Sequence, residues 1–223
     1  YLMQDLIKIF IYLFKRYSPL RIFQIIESNK IFIKGKSLEF GAYKDQKRNF
    51  SNHLKGEKNF QYTNLKKDKK NNILGADLNQ KLKFKSNYYQ NLVIFNVLEH
   101  LNSPTKSLKE LNRILKKGGL LIGSTPFLYQ VHGAPNDYLR FTTDYLIYEF
   151  KKKNFKAIYV KELGYGPFLA AFSILFPYFK FLPIINHIIF LMCLIFDTLL
   201  QIFIKTKLRK IFPLGVFFIF KKM

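Results

Sequence analysis

The sequence predicts an α/β fold with a mostly parallel sheet, and two apolar runs near its middle carry this prediction. Leu92 to Val97 is continuously apolar apart from one asparagine, which is typical of a strand buried on both faces of a parallel sheet. A helical pattern follows, and Leu120 to Ser124 is a second run of strand length. Strands that alternate with helices at this spacing form parallel βαβ units, whose ligand sites lie at the carboxyl ends of the strands.

Composition narrows the class of protein. The 223 residues suffice for one ordinary domain, and a hydrophobic content of 49% excludes a mainly disordered chain. The formal net charge is +23, yet only six of the 37 basic residues are arginine and no nucleic-acid-binding motif is present. Nucleic acid is therefore not expected as a partner, whereas a lysine-rich surface suits an anionic membrane surface. The single cysteine, Cys193, excludes a disulfide framework and a cysteine-based zinc site.

The N-terminal part predicts two helices. Leu2 to Phe14 is apolar on a broad face and is followed by two basic residues, which indicates a helix lying on a partner or on a membrane surface. Ser18 and Pro19 are typical of an N-cap and a first helical position, so a second helix is predicted to run to Ile26.

Three short strands are predicted before the central run. The segment Ser37 to Phe40 has strand character and ends in a tight turn at Gly41. Phe60 to Leu65 and Asn72 to Leu78 are two further candidates, separated by a lysine-rich loop.

The pattern after the central run predicts a helix and a strand. Ser103 and Pro104 begin a helix whose apolar positions fall on one face, and Gly118 and Gly119 are expected to end it in the left-handed conformation. The strand Leu120 to Ser124 follows.

Two segments carry a resemblance to a known family. Asn96 to Phe127, NVLEHLNSPTKSLKELNRILKKGGLLIGSTPF, resembles the second half of a class I S-adenosylmethionine-dependent methyltransferase domain. His132 to Thr142, HGAPNDYLRFT, is similar to a loop in a branch of that family often found near polysaccharide and surface-sugar genes.

The resemblance implies a Rossmann-like, seven-stranded, mostly parallel sheet, and the apolar run that begins at Gly164 predicts a hydrophobic helical insertion before the last strand. Together they divide the chain into N-terminal amphipathic helices (1–30), a methyltransferase-like core (31–162), the hydrophobic insertion (163–210) and the last strand of the core sheet (211–223). The cofactor that it implies is S-adenosylmethionine.

Residues that follow the predicted strands would then bind this cofactor. By the resemblance they are Glu39, Gly41, Ala42, Asn64, Asp77, Leu78, Asn96, Glu99 and His100. Two positions depart from the family pattern: Tyr43 stands where a second glycine is expected, and Asn64 stands where an acid usually holds the ribose hydroxyls. Structural roles stay open for several of them. Glu39 could pair with a lysine, Asp77 could be a turn or N-cap residue, and His100 could bind backbone.

The loop that resembles the family branch holds the candidate catalytic residue. His132 is expected to deprotonate or orient an acceptor hydroxyl, because methyl transfer from a sulfonium needs positioning and proton removal more than covalent help. Asp137, Tyr138 and Arg140 are expected to bind the acceptor or to hold the loop, and a simple ion pair between Asp137 and Arg140 is the structural alternative. No metal site is expected.

Gly164 to Ile204 is almost continuously apolar and is followed by a cluster of four basic residues. Its length suffices to cross a bilayer, and basic residues beside an apolar run are typical interface anchors. The ending Phe212 to Lys222 resembles the last strand of the family's sheet, which a single crossing would leave on the far side of the membrane. The segment is therefore predicted to be a hairpin or to pack on the membrane surface. An internal helical subdomain or the contact face of a homo-oligomer is the alternative.

Together these patterns predict an S-adenosylmethionine-dependent methyltransferase that acts on a hydroxyl or carboxyl of a sugar or lipid-linked acceptor. It is expected in the cytoplasm, peripheral or monotopic at the inner face of the membrane. Two alternatives stay open: a non-catalytic scaffold of the same fold that has lost cofactor binding, and an RNA methyltransferase that uses the basic surface.

Overall fold

The computed structural model describes residues 3–57, 59–133 and 135–223 of the chain. Leu2, where the first helix was predicted to begin, lies outside them. The helices are α1 (Met3–Phe14), α2 (Pro19–Ser28), α3 (Pro104–Ile114), α4 (Thr143–Lys151), α5 (Pro167–Phe179), α6 (Pro183–Phe203) and α7 (Leu208–Ile211). The strands are β1 (Phe32–Ile33), β2 (Ser37–Phe40), β3 (Lys55–Gly56), β4 (Phe60–Asn64), β5 (Ile73–Gly75), β6 (Tyr89–Phe95), β7 (Leu115–Pro126), β8 (Phe155–Leu163) and β9 (Gly215–Lys222).

Seven strands form one sheet in the order β5-β4-β2-β6-β7-β9-β8, and β1 pairs with β3 in a small separate sheet. The pairings of β4 with β5, β2 with β4, β2 with β6, and β6 with β7 are all parallel. This sheet confirms the predicted Rossmann-like fold class, including an apolar helical insertion before the last strand. The strand order reverses at β2, so the gap between β2 and β6 is the topological switch point where such folds bind ligands.

Buried aromatic residues fill the space beside the sheet. Phe50 stacks on Phe95 with ring centroids 4.0 Å apart, and Phe150 stacks on Phe220 at the same separation. The side chains of β9 from Val216 to Phe220 are all buried, which is typical of a strand whose two faces are both covered.

Helix α3 ends earlier than the glycine pattern predicted. It stops at Ile114, and Gly118, with φ +76°, lies inside β7. A Cβ on Gly119 would lie 2.8 Å from the carbonyl oxygens of Gln90 and Lys116, and the register of β6 with β7 shifts near this point. The two glycines therefore lie at a bulge-like irregularity of strand β7 and do not cap a helix.

The chain packs as two compact units, each described by itself. The sheet unit comprises residues 28–125, 131–161 and 217–223, and holds most of the strands. The helical unit comprises the residues up to Glu27, with 126–130 and 162–216, and holds α1, α2, α5, α6 and α7.

Helix α6 buries two polar residues on one face and exposes aliphatic residues on the opposite face. Asn186 and Asp197 are buried, together with Phe190 and Cys193, on one face of the helix. Exposed aliphatic residues form the opposite face, and they are Ile184, Ile188, Leu191, Ile195, Leu199 and Ile202. A helix on the surface of a water-soluble protein has the reverse arrangement.

The inward polar residues hold α5 at both ends. The Asp197 carboxylate accepts hydrogen bonds of 3.0 Å from the backbone N–H groups of Phe168 and Leu169, in the first turn of α5. The amide of Asn186 donates to the carbonyl of Phe179, the last residue of α5, at 2.8 Å. These contacts satisfy backbone groups that a helix leaves open at its termini.

Helix α1 joins the same unit through His187 of α6. Its Nε2 lies 2.8 Å from the carbonyl oxygen of Phe10, and its ring stacks on the Phe10 ring with centroids 5.4 Å apart. His187, for which the sequence indicated no site, therefore has a structural role.

Replacing Asp197 should destabilise the protein, because two backbone N–H groups at the start of α5 would lose their acceptor inside the unit. We expect Asp197→Ala to lower the free energy of unfolding by about 2 to 4 kcal/mol, measured by chemical denaturation in mild detergent. Thr198→Ala, at the exposed neighbouring position, should change it by less than about 0.5 kcal/mol. Equal effects of the two substitutions would contradict this role of Asp197.

Candidate functional site

The residues predicted to bind the cofactor follow strands that end at one edge of the sheet. Strands β5, β4, β2 and β6 are parallel neighbours, so their carboxyl ends share an edge. Gly41 and Ala42 follow β2, Asn64 ends β4, and Asn96 follows β6. Asp77 and Leu78 come two and three residues after the end of β5. The sequence and the topology therefore place this set at the switch point and beside it.

The first turn requires glycine at position 41. Gly41 has φ +71°, and a Cβ there would lie 2.7 Å from Cγ2 of Val97. Across the switch point Asn96 also adopts a left-handed conformation, with φ +53°. Two tight turns thus face the gap between β2 and β6, and they bring the backbone close to any ligand bound there.

Several predicted cofactor residues use their side chains inside the protein. The buried Glu39 carboxylate accepts hydrogen bonds from the backbone N–H groups of Phe50 (2.8 Å) and Ser51 (3.1 Å). The Asn64 amide donates to the Ala42 carbonyl at 2.9 Å, and its oxygen accepts from the N–H of Leu65 at 2.7 Å. These contacts stabilise the loops that form the edge.

The segments beside the turn are held in the same way. Oδ1 of Asp77 accepts a 2.9 Å hydrogen bond from the N–H of Asn79, which is the turn role left open for it. The hydroxyl of Ser107 donates to the carbonyl of Leu78 at 2.7 Å. The N–H of Tyr43 donates to Asn49 at 2.8 Å.

The edge fits a nucleoside cofactor in position and backbone shape. The left-handed turns at Gly41 and Asn96 leave the backbone accessible at the switch point, and the Asp77 carboxylate follows the third strand of this half of the sheet. The Asn64 amide is committed to Ala42 and Leu65, so it fits a ribose contact less well than the acid of the family pattern.

A second group of side chains lies after β6 and β7. Glu99 and His100 belong to a short 3-10 turn that begins at Leu98, shortly after β6. His132 lies in the His132 loop, which we define as residues 131–133 and 135–142. The imidazole rings of His100 and His132 meet edge to face with centroids 5.0 Å apart. Residues from two loops that are distant in sequence therefore share one site.

Backbone hydrogen bonds attach the His132 loop to Glu99. The N–H groups of Tyr138 and Leu139 donate to the Glu99 carbonyl at 2.8 and 3.2 Å. In the other direction, Nδ1 of His100 lies 2.5 Å from the carbonyl oxygen of Asn136. The Tyr138 side chain is half exposed, and its hydroxyl accepts from the Asn136 amide at 3.0 Å.

Asp137 organises the loop from inside. Its carboxylate binds both terminal nitrogens of the Arg140 guanidinium, and Nη2 of Arg140 lies 2.6 Å from Oδ2. It also accepts from the backbone N–H of His132 at 3.0 Å, and Nδ1 of His132 lies 3.2 Å away. The hydrogen bonds from Arg140 hold the pKa of Asp137 well below its usual range. The ion pair that was the structural alternative is present, and it positions His132.

Glu99 carries a carboxylate in a buried environment. Its side chain is fully buried, and burial raises the pKa of Glu99 to about 8. Oε2 lies 3.5 Å from the Thr125 hydroxyl, whereas Oε1 has no hydrogen-bond partner among the described residues. Burial also lowers the pKa of His100, because it disfavours the charged imidazolium.

Two residues of this site were not predicted from the sequence. Thr125 lies at the carboxyl end of β7, one residue beyond the predicted strand, and the rule on strand ends would have found it. Asn136 acts through its backbone carbonyl, for which a side-chain pattern gives no signal.

Residues 55–123 match the family model described as a methyltransferase domain. This segment, about a third of the chain, is similar to part of a methyltransferase domain, and the sheet has the class I methyltransferase fold. The cofactor that the match implies is S-adenosylmethionine. The match begins after the first turn, so Glu39, Gly41 and Ala42 lie outside it. The comparison with curated proteins gave no match.

Solved structures share the fold at low sequence identity. A Listeria monocytogenes protein assigned as an S-adenosylmethionine-dependent methyltransferase is 12% identical, with a TM-score of 0.54, and the alignment covers 90% of this chain and 98% of that one. A Mesorhizobium loti S-adenosylmethionine-dependent methyltransferase is 10% identical, with a TM-score of 0.51 and coverages of 84% and 90%. The cyclase SpnF is 11% identical, with a TM-score of 0.54 and coverages of 89% and 78%. These likenesses establish the fold, which hosts more than one reaction.

Substitution of Gly41 should destabilise the protein because of the backbone conformation of the first turn. We expect Gly41→Ala to lower the free energy of unfolding by about 1 to 3 kcal/mol, because φ +71° disfavours a Cβ and Val97 would have to move. Gly75→Ala is the control, since its Cβ would make ordinary contacts at 3.4 Å, and its effect should stay within about 0.5 kcal/mol. Denaturant unfolding measures both. A Gly41→Ala variant as stable as the wild type would contradict the turn geometry.

Proposed function

We propose that the protein transfers a methyl group from S-adenosylmethionine to a hydroxyl or carboxyl of a sugar or lipid-linked acceptor at a membrane surface. The observation that carries the proposal is the position of His132, held by Asp137 beside the Glu99–His100 turn. Both loops follow strands at the edge where the fold binds its ligands.

S-adenosylmethionine supplies a methyl group already activated by its bond to a sulfonium. The acceptor oxygen loses a proton and forms a bond to the methyl carbon, while the carbon–sulfur bond breaks and its electron pair stays on sulfur. The chain must therefore place the acceptor oxygen in line with the methyl group and remove a proton. His132 deprotonates or orients the acceptor, because Asp137 fixes its ring, and Tyr138 and Arg140 line the same loop.

The cofactor is proposed to lie across the switch point. Gly41 and Asn96 let it approach the backbone of the two turns, Ala42 continues the first turn, and Asp77 and Leu78 hold its adenine side. Glu39 and Asn64 support these loops through the hydrogen bonds already described, so their part in binding is indirect.

The acceptor class is supported by two features of different kinds. The His132 loop resembles that of the surface-sugar branch of the family, and the helical unit presents a large apolar surface. Within the described residues α6 is long and apolar enough to cross a membrane by length and composition, which alone is weak evidence. The stronger argument is that α6 buries Asn186 and Asp197 and exposes its aliphatic residues, because polar residues of a helix in lipid face the protein.

Connectivity favours insertion from one side. Strands β8 and β9 are neighbours in one sheet, so both ends of the α5–α7 segment return to that sheet. Helix α5 has 13 residues and is about 20 Å long, which is too short for a bilayer core of about 30 Å. We therefore propose a monotopic attachment at the inner, cytoplasmic face of the membrane.

Charge and a second helix support this attachment. Helix α1 exposes Ile7, Ile11 and Phe14 at helical spacing, and the basic residues Lys15 and Arg16 follow it. A further basic cluster follows α6 and comprises Lys205, Lys207, Arg209 and Lys210. Each cation near an anionic surface contributes about 1 kcal/mol to binding.

Substitution of His132 should impair methyl transfer without weakening cofactor binding. We expect the wild type to bind S-adenosylhomocysteine in calorimetry, and His132→Ala to retain that affinity while methyl transfer falls about 10²-fold or more. The assay screens nucleotide sugars and lipid-linked glycans as acceptors, and His53→Ala is the control histidine. Absence of S-adenosylhomocysteine binding by the folded protein would favour the scaffold alternative, and unchanged turnover would remove His132 from the mechanism.

Membrane binding should depend on the exposed face of α6. We expect Ile188→Glu to reduce the fraction bound to vesicles containing 30% phosphatidylserine by about tenfold or more, measured by flotation. Ile158→Glu is a matched control, since Ile158 in β8 is 53% exposed and Ile188 is 55% exposed. Binding by the wild type should weaken at high salt and persist in part. Equal binding of the two variants would overturn the proposed surface.

A further inference from the structure

We propose that Glu99, His100 and His132 bind one divalent transition-metal ion, and that this ion contacts the acceptor oxygen. The second part rests on the proposed function, whereas the binding itself does not. No metal was expected from the sequence, because the two histidines lie on loops that only the fold brings together.

The three side chains are spaced for a single ion. One ligand atom from each lies within 4.8 Å of the other two, and Nε2 of His100 is 3.8 Å from Oε1 of Glu99. Bonds of about 2.1 Å place two donors on one ion at most about 4.2 Å apart. Three donors in tetrahedral geometry lie about 3.4 Å apart, so the widest pair would have to close by about 1.4 Å to bring all three onto the same ion.

Both imidazoles are oriented by a contact at the nitrogen away from the cluster. Nδ1 of His100 faces the Asn136 carbonyl, which only accepts hydrogen bonds, so this nitrogen carries the hydrogen and Nε2 carries the lone pair. Nδ1 of His132 faces the Asp137 carboxylate, which is an acceptor as well. Metal-binding histidines characteristically have such a carbonyl or carboxylate behind them, and the pattern selects Nε2 as the ligand.

The charge of the site also calls for a cation. Oε1 of the fully buried Glu99 has no hydrogen-bond partner among the described residues, and a buried carboxylate in that state needs either a proton or a positive ion. Arg140 is the nearby cation, but its guanidinium is engaged by both oxygens of Asp137. The Asp137–Arg140 pair therefore leaves the Glu99 carboxylate without a counter-charge, and a divalent ion would supply one.

The donor set selects the class of metal. Two imidazoles and one carboxylate suit Zn²⁺, Fe²⁺ or Mn²⁺ and leave coordination positions open, whereas Mg²⁺ prefers oxygen donors alone. An acceptor hydroxyl bound at an open position would be held near the His132 loop, and the ion would lower its pKa. His132 would then orient the acceptor through the ion. Of the two roles proposed for His132, this one is orientation and not deprotonation.

Calorimetric titration tests the binding without any methyl transfer. The full chain in mild detergent is freed of metal with a chelator, and ZnCl₂ or MgCl₂ is added as the probe. We expect one Zn²⁺ per chain with micromolar or tighter affinity, and Mg²⁺ binding at least about 100-fold weaker. Glu99→Gln and His100→Gln should each weaken Zn²⁺ binding about 100-fold or more, and Asp137→Asn about 10- to 100-fold.

His53→Gln is the matched control, because it removes a histidine of the same unit that lies outside the cluster. Circular dichroism verifies that each variant is folded, and if Glu99→Gln fails to fold, His100→Gln decides. Absence of Zn²⁺ binding by the wild type, or an equal loss in His53→Gln, would overturn the inference. Zn²⁺ binding with no S-adenosylhomocysteine binding would support the metal site and count against the proposed function. The reverse result would overturn the metal site alone.

Discussion

The last strand, β9, pairs inside the main sheet, and this position constrains the rest of the structure. Strand β9 lies between β7 and β8, and its buried side chains complete the half of the sheet beyond the switch point. The 51 residues from Gly164 to Leu214 must therefore begin and end at adjacent strands. An apolar segment with free ends could cross a bilayer, but one with both ends fixed in the same sheet must fold back on itself. The hairpin of α5 and α6 satisfies that requirement.

The hairpin is held by polar contacts on its inner face. Asp197 and Asn186 bind opposite ends of α5, so the longer helix satisfies two backbone N–H groups and one carbonyl of the shorter one. This arrangement needs no water at either contact, which is the condition for a helix pair in an apolar environment. The buried face of α6 thus combines these two polar residues with Phe190 and Cys193, while the exposed face is aliphatic.

The parts of the fold that the sequence predicted are those set by hydrophobic pattern. The central strands and the apolar insertion followed from continuous apolar runs, and the edge that carries the site followed from the parallel order. Helix α4 and the exposed face of β8 have mixed patterns and were not predicted. Gly118 and Gly119 were misassigned, because the same two residues serve a helix end or a strand irregularity, and the choice depends on Gln90 in a neighbouring strand.

The candidate site, too, could be predicted from the sequence only in part. Its position could be predicted from strand ends, but the partners of its side chains could not. Glu39 and Asn64 are predicted ligand contacts, and nothing in the sequence indicated the hydrogen bonds that their side chains make to Phe50, Ser51, Ala42 and Leu65. The meeting of His100 with His132 depends on the pairing of β6 with β7, which places two distant loops side by side.

The attachment of the His132 loop to Glu99 has a consequence for how ligands are recognised. Tyr138 and Leu139 donate to one carbonyl, and Asp137 is locked by Arg140, so this stretch is ordered before any ligand arrives. A ligand that binds there does not have to supply the conformational entropy of folding a loop. A preorganised loop also narrows the range of ligands that can bind. Ligands whose shape does not match the loop bind weakly, because the loop does not rearrange to fit them.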